Sequence, residues 1–110
     1  MSREYRVFLT DMRKACEKVV AYTQQVTREQ FLSDEKTFDA VLRNVEIIGE
    51  AAKHIPDDIR AQHPNIPWRN IAGLRDVVIH DYFGLDTELI WDIVSREVPE
   101  LLHQLQQVSS

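Results

Sequence analysis

The segment of residues 75–82, RDVVIHDY, concentrates side chains that could do acid–base chemistry on a phosphate. Cleavage of an RNA phosphodiester by its own 2′-hydroxyl needs a proton acceptor, a proton donor and a fixed positive charge beside the phosphorane. His80 titrates near neutral pH and can act as base or acid, whereas the Arg75 guanidinium stays protonated and matches phosphate oxygens. Arg75 can therefore stabilise charge but cannot be the base.

The spacing within this segment limits what one chain can do alone. Asp76 lies four residues before His80, so on a helix its carboxylate shares a face with the imidazole and can orient the ring. Arg75 lies five residues before His80, about 140° around an ideal helix, so the two converge only through the reach of arginine or an irregular helix end. The plainer alternative is a surface helix end where a cation and an imidazole occur by chance.

Helices are the elements that would position this segment. Apolar residues at three- and four-residue steps predict a first helix over residues 3–26, with Ser2 as its N-cap. A break with a short turn is expected over residues 27–33. A second helix, expected to be the longest, follows Ser33, has Asp34 and Glu35 in its first turn, and runs to Pro56.

Prolines and a glycine divide the second half of the chain. Pro56 is expected to start a short helix that ends near residue 63, and Pro67 announces another that reaches the region of His80. Gly84 is expected to end that helix and Asp86 to cap the next. A later proline, Pro99, should kink or restart the last helix.

The pattern as a whole predicts an all-α protein. No segment alternates with period two long enough for a strand, so we expect one antiparallel bundle of about four main helices plus short helices, a single domain over residues 1–110. No apolar run approaches the roughly 20 residues of a membrane span, and the N-terminus does not resemble a signal peptide. A cytoplasmic protein without a membrane partner is expected. The single cysteine, Cys16, should be a small core residue.

The net charge of −5 argues against general nucleic-acid binding, because lysine and arginine contacts to phosphate supply most of the non-specific affinity. The distribution of charge along the chain weakens this argument against nucleic-acid binding. Residues 43–80 carry five Lys or Arg and five acids, whereas residues 81–110 carry six acids and one Arg and so account for the whole deficit.

The remaining polar and aromatic candidates give weaker signals. The other histidines lack zinc-site spacing, so no metal and no cofactor is expected: His54, His63 and His103. Trp68 and Trp91 lie at apolar helical spacing and should pack in the core, and Gly49 should mark a close helix contact. Four polar residues follow one another on the long helix, Arg43, Asn44, Glu46 and Glu50. One or two of them could line a cleft, but a solvated or structural role is favoured.

The pattern R-x4-H-x-Y at the end of a bundle helix resembles the motif of the HepT-like toxins of the HEPN superfamily. The stretches DEKTFDAVLRNVEIIGEAAKHIP and IPWRNIAGLRDVVIHDYFGLD are similar to the same family, and the resemblance covers nearly the whole chain. It implies a HEPN-like helical fold and a metal-independent endoribonuclease that forms a homodimer, whose protomers jointly supply Arg and His to one cleft.

The resemblance also implies roles for individual residues. Arg75 would stabilise the phosphate of an RNA substrate, His80 would be the general acid and base, and Asp76 matches a polar supporting position. Tyr82 matches a tyrosine to which a partner, a minimal nucleotidyltransferase antitoxin, transfers AMP. The chain would then be the toxin of a two-gene toxin–antitoxin module.

The sequence is also compatible with two other classes of protein. The chain could be a catalytically inactive helical subunit that positions substrate or nucleotide for a nucleotidyltransferase partner, or a plain dimerisation protein. The acidic balance of the chain favours these two, whereas the intact Arg75, Asp76 and His80 favour the enzyme.

Overall fold

The protein is described by a computed structural model that covers residues 4–78 and 86–108. All regular secondary structure in these two ranges is helical, which confirms the predicted all-α class. The helices are α1 (Tyr5–Thr23), α2 (Arg28–Ser33), α3 (Glu35–Ala52), α4 (Asp57–Gln62), α5 (Trp68–Ala72), α6 (residues 74–78), α7 (Thr87–Asp92), a π-helical turn (Ile93–Glu97) and α8 (Val98–Gln106). Ser2, His80, Tyr82 and Gly84 lie outside the described residues.

The core forms where α1 packs along α3, with α8 against α1 and α5 against α3. Apolar side chains at helical spacing on these faces lose their contact with water, and their burial is the main favourable contribution to folding. Cys16 is fully buried among them, and burial raises the pKa of its thiol to about 12. It is therefore the small core residue that its position predicted. None of the helices within residues 4–78 and 86–108 has the length and apolarity that crossing a bilayer requires.

The expectations for α1 and for the segment that follows it are wrong in part. The turn expected over residues 27–33 contains helix α2, because Thr27 and Gln30 form a reciprocal capping box and Phe31 anchors the helix in the core with no exposed surface. Helix α1 begins at Tyr5 with Glu4 at its N-cap position, rather than at residue 3 with Ser2 as the cap. It ends at Thr23 rather than at residue 26, since the backbone turns there and Gln25 adopts a left-handed φ of 61°.

Helix α3 also departs from its predicted description. Asp34, expected in the first turn, is instead the N-cap, because its carboxylate accepts hydrogen bonds from the backbone N–H and the hydroxyl of Thr37 at 3.2 and 2.7 Å. These bonds hold the pKa of Asp34 below its usual value. The helix also ends at Ala52, ahead of Pro56. With 18 residues, α3 is shorter than α1, which has 19, so it is not the longest helix.

The helix expected from Pro67 toward His80 is interrupted. It is divided at Gly73 into α5 and α6, consistent with the low helix propensity of glycine. The short helix after Pro56 is present as predicted and ends at residue 62.

The last helical unit begins where it was expected. Asp86 caps α7 by accepting a hydrogen bond from the N–H of Leu89 at 3.1 Å. Ahead of Pro99 the helix widens into the π-helical turn, closed by a bond from the N–H of Val98 to the carbonyl of Ile93. Such a turn accommodates a residue that lacks an N–H and whose ring crowds the preceding turn, and α8 then restarts at Val98 as predicted.

Candidate active site

Helix α3 and the segment that carries Arg75 come into close contact at Gly49. A Cβ atom at this position would lie 2.7 Å from the backbone nitrogen of Arg75 and 3.2 Å from both Arg75 Cβ and the carbonyl oxygen of Ile71. Only a residue without a side chain allows the two backbones to come this close. The close helix contact predicted for Gly49 is therefore confirmed, and it places the backbone of Arg75 directly on α3.

The next residue on α3 holds the side chain of Arg75. Arg75 Nε lies 3.0 Å from Glu50 Oε2, with the two side chains 38% and 53% exposed. At this exposure an ion pair adds little to folding stability. Its effect is instead geometric, since it restricts the rotamers of a long cation at the protein surface.

Arg75 and Glu50 open onto a pocket of about 310 Å³ whose other lining residues are Arg43, Glu46 and Ile47. The four residues from α3 are spaced i, i+3, i+4 and i+7, so they lie on one face of the helix. Arg43 pairs loosely with Glu46, at 4.0 Å, and its side chain is 73% exposed. The pocket thus joins two arginines, two glutamates and one apolar side chain.

Three of the four polar residues noted on the long helix lie around this pocket. The sequence left open that one or two of them line a cleft, and Arg43, Glu46 and Glu50 line the pocket together with Arg75, although the Arg43 side chain also stays solvated at 73% exposure. Only Asn44 is structural, because it is 8% exposed and donates from Nδ2 to the carbonyl of Ala40 at 2.9 Å. The shared helical spacing of the three lining residues was the signal available in the sequence.

The other predicted site residues are distributed as follows. Asp76 follows Arg75 on α6 and is exposed. His80 and Tyr82 fall in residues 79–85, outside the described ranges, so their distances to Arg75 stay predictions. What the described residues establish is a guanidinium held beside an open pocket, which suits it to contact the oxygens of a phosphate from solvent.

The two tryptophans are part of the packing, whereas His54 and His103 are exposed. Trp68 is 6% exposed and donates from Nε1 to the carbonyl of His63 at 3.0 Å. Trp91 packs on the core with its ring 5.5 Å from that of Phe31, so both tryptophans occupy the core positions predicted for them. His54 stacks on Phe8 at 4.4 Å between ring centroids. Over residues 4–78 and 86–108, no three His, Cys, Asp or Glu side chains are grouped so as to hold a metal ion.

Acidic residues near the C-terminus form a separate electrostatic cluster around the π-helical turn. Arg96 donates to both carboxylate oxygens of Asp92 at 2.9 and 2.8 Å, which lowers the pKa of Asp92 and raises that of Arg96. Partial burial raises the pKa of the neighbouring Glu97. Arg96 and Glu97 line a different pocket, together with Asn65 and Asn70, and neither lines the one beside Arg75.

Comparison with known proteins gives consistent matches over the length of the chain. A family model described as "Ribonuclease HepT-like" matches residues 12–108. A protein of Thermococcus cleftensis described as "Probable ribonuclease HepT" is 42% identical over 108 residues, which cover 98% of each chain. A protein of Methanocaldococcus jannaschii described as "Putative RNase MJ0127" is 40% identical over 106 residues, which cover 96% of this chain and 88% of the relative. No solved structure gave a significant match.

Proposed function

The chain belongs to the HepT-like ribonuclease family of the HEPN superfamily, and we propose that it is a metal-independent RNA endonuclease in which Arg75 and His80 carry the reaction. The observation that carries the proposal is the position of Arg75. Its backbone rests on Gly49, its guanidinium pairs with Glu50, and its side chain opens onto the pocket. A cation held in this way can stabilise a pentacovalent phosphate without reorganising during the reaction.

The proposed reaction uses the substrate's own 2′-hydroxyl as nucleophile. An imidazole of His80 accepts the 2′-hydroxyl proton as the 2′-oxygen bonds to phosphorus, and a protonated imidazole delivers a proton to the departing 5′-oxygen. The products are a 2′,3′-cyclic phosphate and a 5′-hydroxyl. Arg75 stabilises the negative charge of the phosphorane, and Asp76 supports His80 from the same helical face.

A homodimer would bring the two reactive groups together. On a straight helix Arg75 and His80 point about 140° apart, so a cleft that takes Arg75 from one protomer and His80 from its partner removes the conflict. We expect a specific interface of at least roughly 1,200 Å² in total. Light scattering at tens of micromolar protein checks this, and a monomer at that concentration would contradict it.

The decisive experiment is incubation of the purified protein with a defined RNA and a tRNA pool in EDTA. Wild type should cleave and leave 2′,3′-cyclic phosphate ends, whereas His80→Ala and Arg75→Ala should each lose on the order of 10² or more in rate. Both variants should keep their helicity and oligomeric state. Activity that EDTA abolishes and magnesium restores would refute the metal-independent reaction, and loss of helicity in the variants would assign the motif a structural role.

We place the enzyme in a toxin–antitoxin module in which a minimal nucleotidyltransferase silences it by transferring AMP to Tyr82. Tyr82 follows Arg75 by seven residues, so the two nearly eclipse each other on an ideal helix. The phosphodiester attached to Tyr82 can then pair with the guanidinium that should receive RNA phosphate. The acidic balance of the chain favours the alternative of a catalytically inactive binding subunit, and wild type that binds RNA without cleaving it would establish that alternative.

A further inference from the structure

The pocket beside Arg75 extends along α3 to a second guanidinium, that of Arg43. Arg43 lies seven residues before Glu50, which is a displacement of roughly 10 Å along the helix on nearly the same side. Two arginines thus line one open pocket, and Ile47 lies in the α3 sequence between Arg43 and Glu50, the partner of Arg75. The reaction proposed at Arg75 assigns no role to Arg43.

The two arginines differ in how tightly they are held. Arg75 pairs with Glu50 at 3.0 Å, whereas Arg43 and Glu46 are 4.0 Å apart, at the outer limit of an ion pair. The Arg43 side chain is also 73% exposed. A loose, exposed pair of this kind contributes little to stability, so an incoming anion can replace Glu46 as the partner of Arg43 at little cost.

The arrangement matches a ligand with anionic groups at intervals and apolar surface between them. Single-stranded RNA has this chemistry, because each nucleotide supplies a phosphate, a ribose and a base with an apolar face. We propose that Arg43 binds a phosphate flanking the one that is cleaved, with Ile47 against the intervening ribose or base. This subsite rests on the proposed function, since it takes the phosphate at Arg75 to be the reacting one.

A flanking phosphate contact should affect binding and leave the chemical step unchanged. Arg43→Gln should raise KM by about tenfold on a defined single-stranded oligonucleotide with kcat unchanged, and should reduce the dependence of log KM on log salt concentration by about 0.7 for one lost phosphate contact. Glu46→Gln should shift KM the other way, because it removes the carboxylate that competes for Arg43. On a dinucleotide, which has only the scissile phosphate, Arg43→Gln should equal wild type.

A matched control separates the subsite from general charge. Arg13→Gln makes the same charge change at an exposed position on α1, where Arg13 lines a different and much smaller pocket, and it should leave KM and the salt dependence near wild type. Equal effects of Arg13→Gln and Arg43→Gln, or none from Arg43→Gln, would overturn the subsite.

Binding measured without cleavage distinguishes the two proposals. The same variants are titrated with a fluorescent 2′-O-methyl oligonucleotide, which lacks the nucleophile, and Arg43→Gln should again bind about tenfold more weakly. If wild type cleaves no RNA but this difference persists, Arg43 still binds an RNA phosphate and only the proposed reaction fails. If wild type cleaves and the difference is absent from both assays, the reaction stands and the subsite fails.

Discussion

Gly49→Ala tests whether the contact between α3 and α6 positions Arg75. The new Cβ would meet the backbone nitrogen of Arg75 at 2.7 Å, whereas ordinary contacts of this kind lie near 3.5 Å. The obstructing atom belongs to the backbone, so rotation of a side chain cannot relieve the clash. The chain at Arg75 must therefore move away from α3 by roughly 0.7 Å or more, and the pairing of its guanidinium with Glu50 must change.

Two opposing energies decide the effect on stability. Overpacking should lower the free energy of unfolding by about 1–3 kcal/mol, whereas replacement of glycine by alanine inside a helix should raise it by about 0.8–1 kcal/mol. The net loss of unfolding free energy should be roughly 0–2 kcal/mol, so the variant should still fold. Its activity should fall further, because misplacement of a reactive group by about 1 Å can cost on the order of 10²-fold in rate. We expect at least about tenfold in kcat/KM.

Gly73→Ala is the matched control. A Cβ at Gly73 would lie 3.5 Å from the carbonyl oxygens of Arg69 and Asn70, and the backbone φ of −75° suits alanine. This variant should gain about 0.4–1 kcal/mol through its less flexible unfolded state and keep wild-type activity. Urea unfolding followed by circular dichroism and initial rates of RNA cleavage measure both effects. Full activity of Gly49→Ala would show that the close contact does not position Arg75.

Three further predictions concern other parts of the chain. Arg60 donates to the carbonyls of Ala52 and Ile55 at 2.8 and 3.1 Å, so Arg60→Ala should lower the urea-derived free energy of unfolding by about 1.5–3 kcal/mol; a loss below half of that would contradict the assigned role of these bonds. Burial raises the pKa of Cys16 to about 12. The contribution of the buried thiol to the free energy of unfolding is therefore complete below about pH 8.5, and above that value it falls by up to about 1.4 kcal/mol per pH unit because the thiol ionises in the unfolded chain. The difference in unfolding free energy between wild type and Cys16→Ala should shrink across this range, and a constant difference would refute the argument from burial. Tyr82→Phe should stay cleavage-competent yet escape silencing by the nucleotidyltransferase with ATP and magnesium, which intact mass spectrometry can follow; equal silencing of wild type and variant would favour steric masking of the cleft.

The fold could be predicted from sequence to the extent that it depends on local chemistry. The helical period of the apolar residues, the cap at Asp86 and the restart near Pro99 are properties of short segments, and the structure confirms each. The errors at α2 and at the N-cap of α3 are also local. The sequence contains the capping box of Thr27 and Gln30, but the run of polar residues there was interpreted as a turn.

For the candidate site, the sequence and the tertiary structure determine different features. Residue type and spacing in the sequence determined which groups could do chemistry, namely Arg75, His80 and Asp76. Only the tertiary structure decided that Glu50 and the loose Arg43–Glu46 pair share a pocket with Arg75. The physical reason is that this proximity depends on how α3 packs against α6. That packing is set by the backbone contact at Gly49, which is too close for any side chain and joins residues that lie far apart in the sequence.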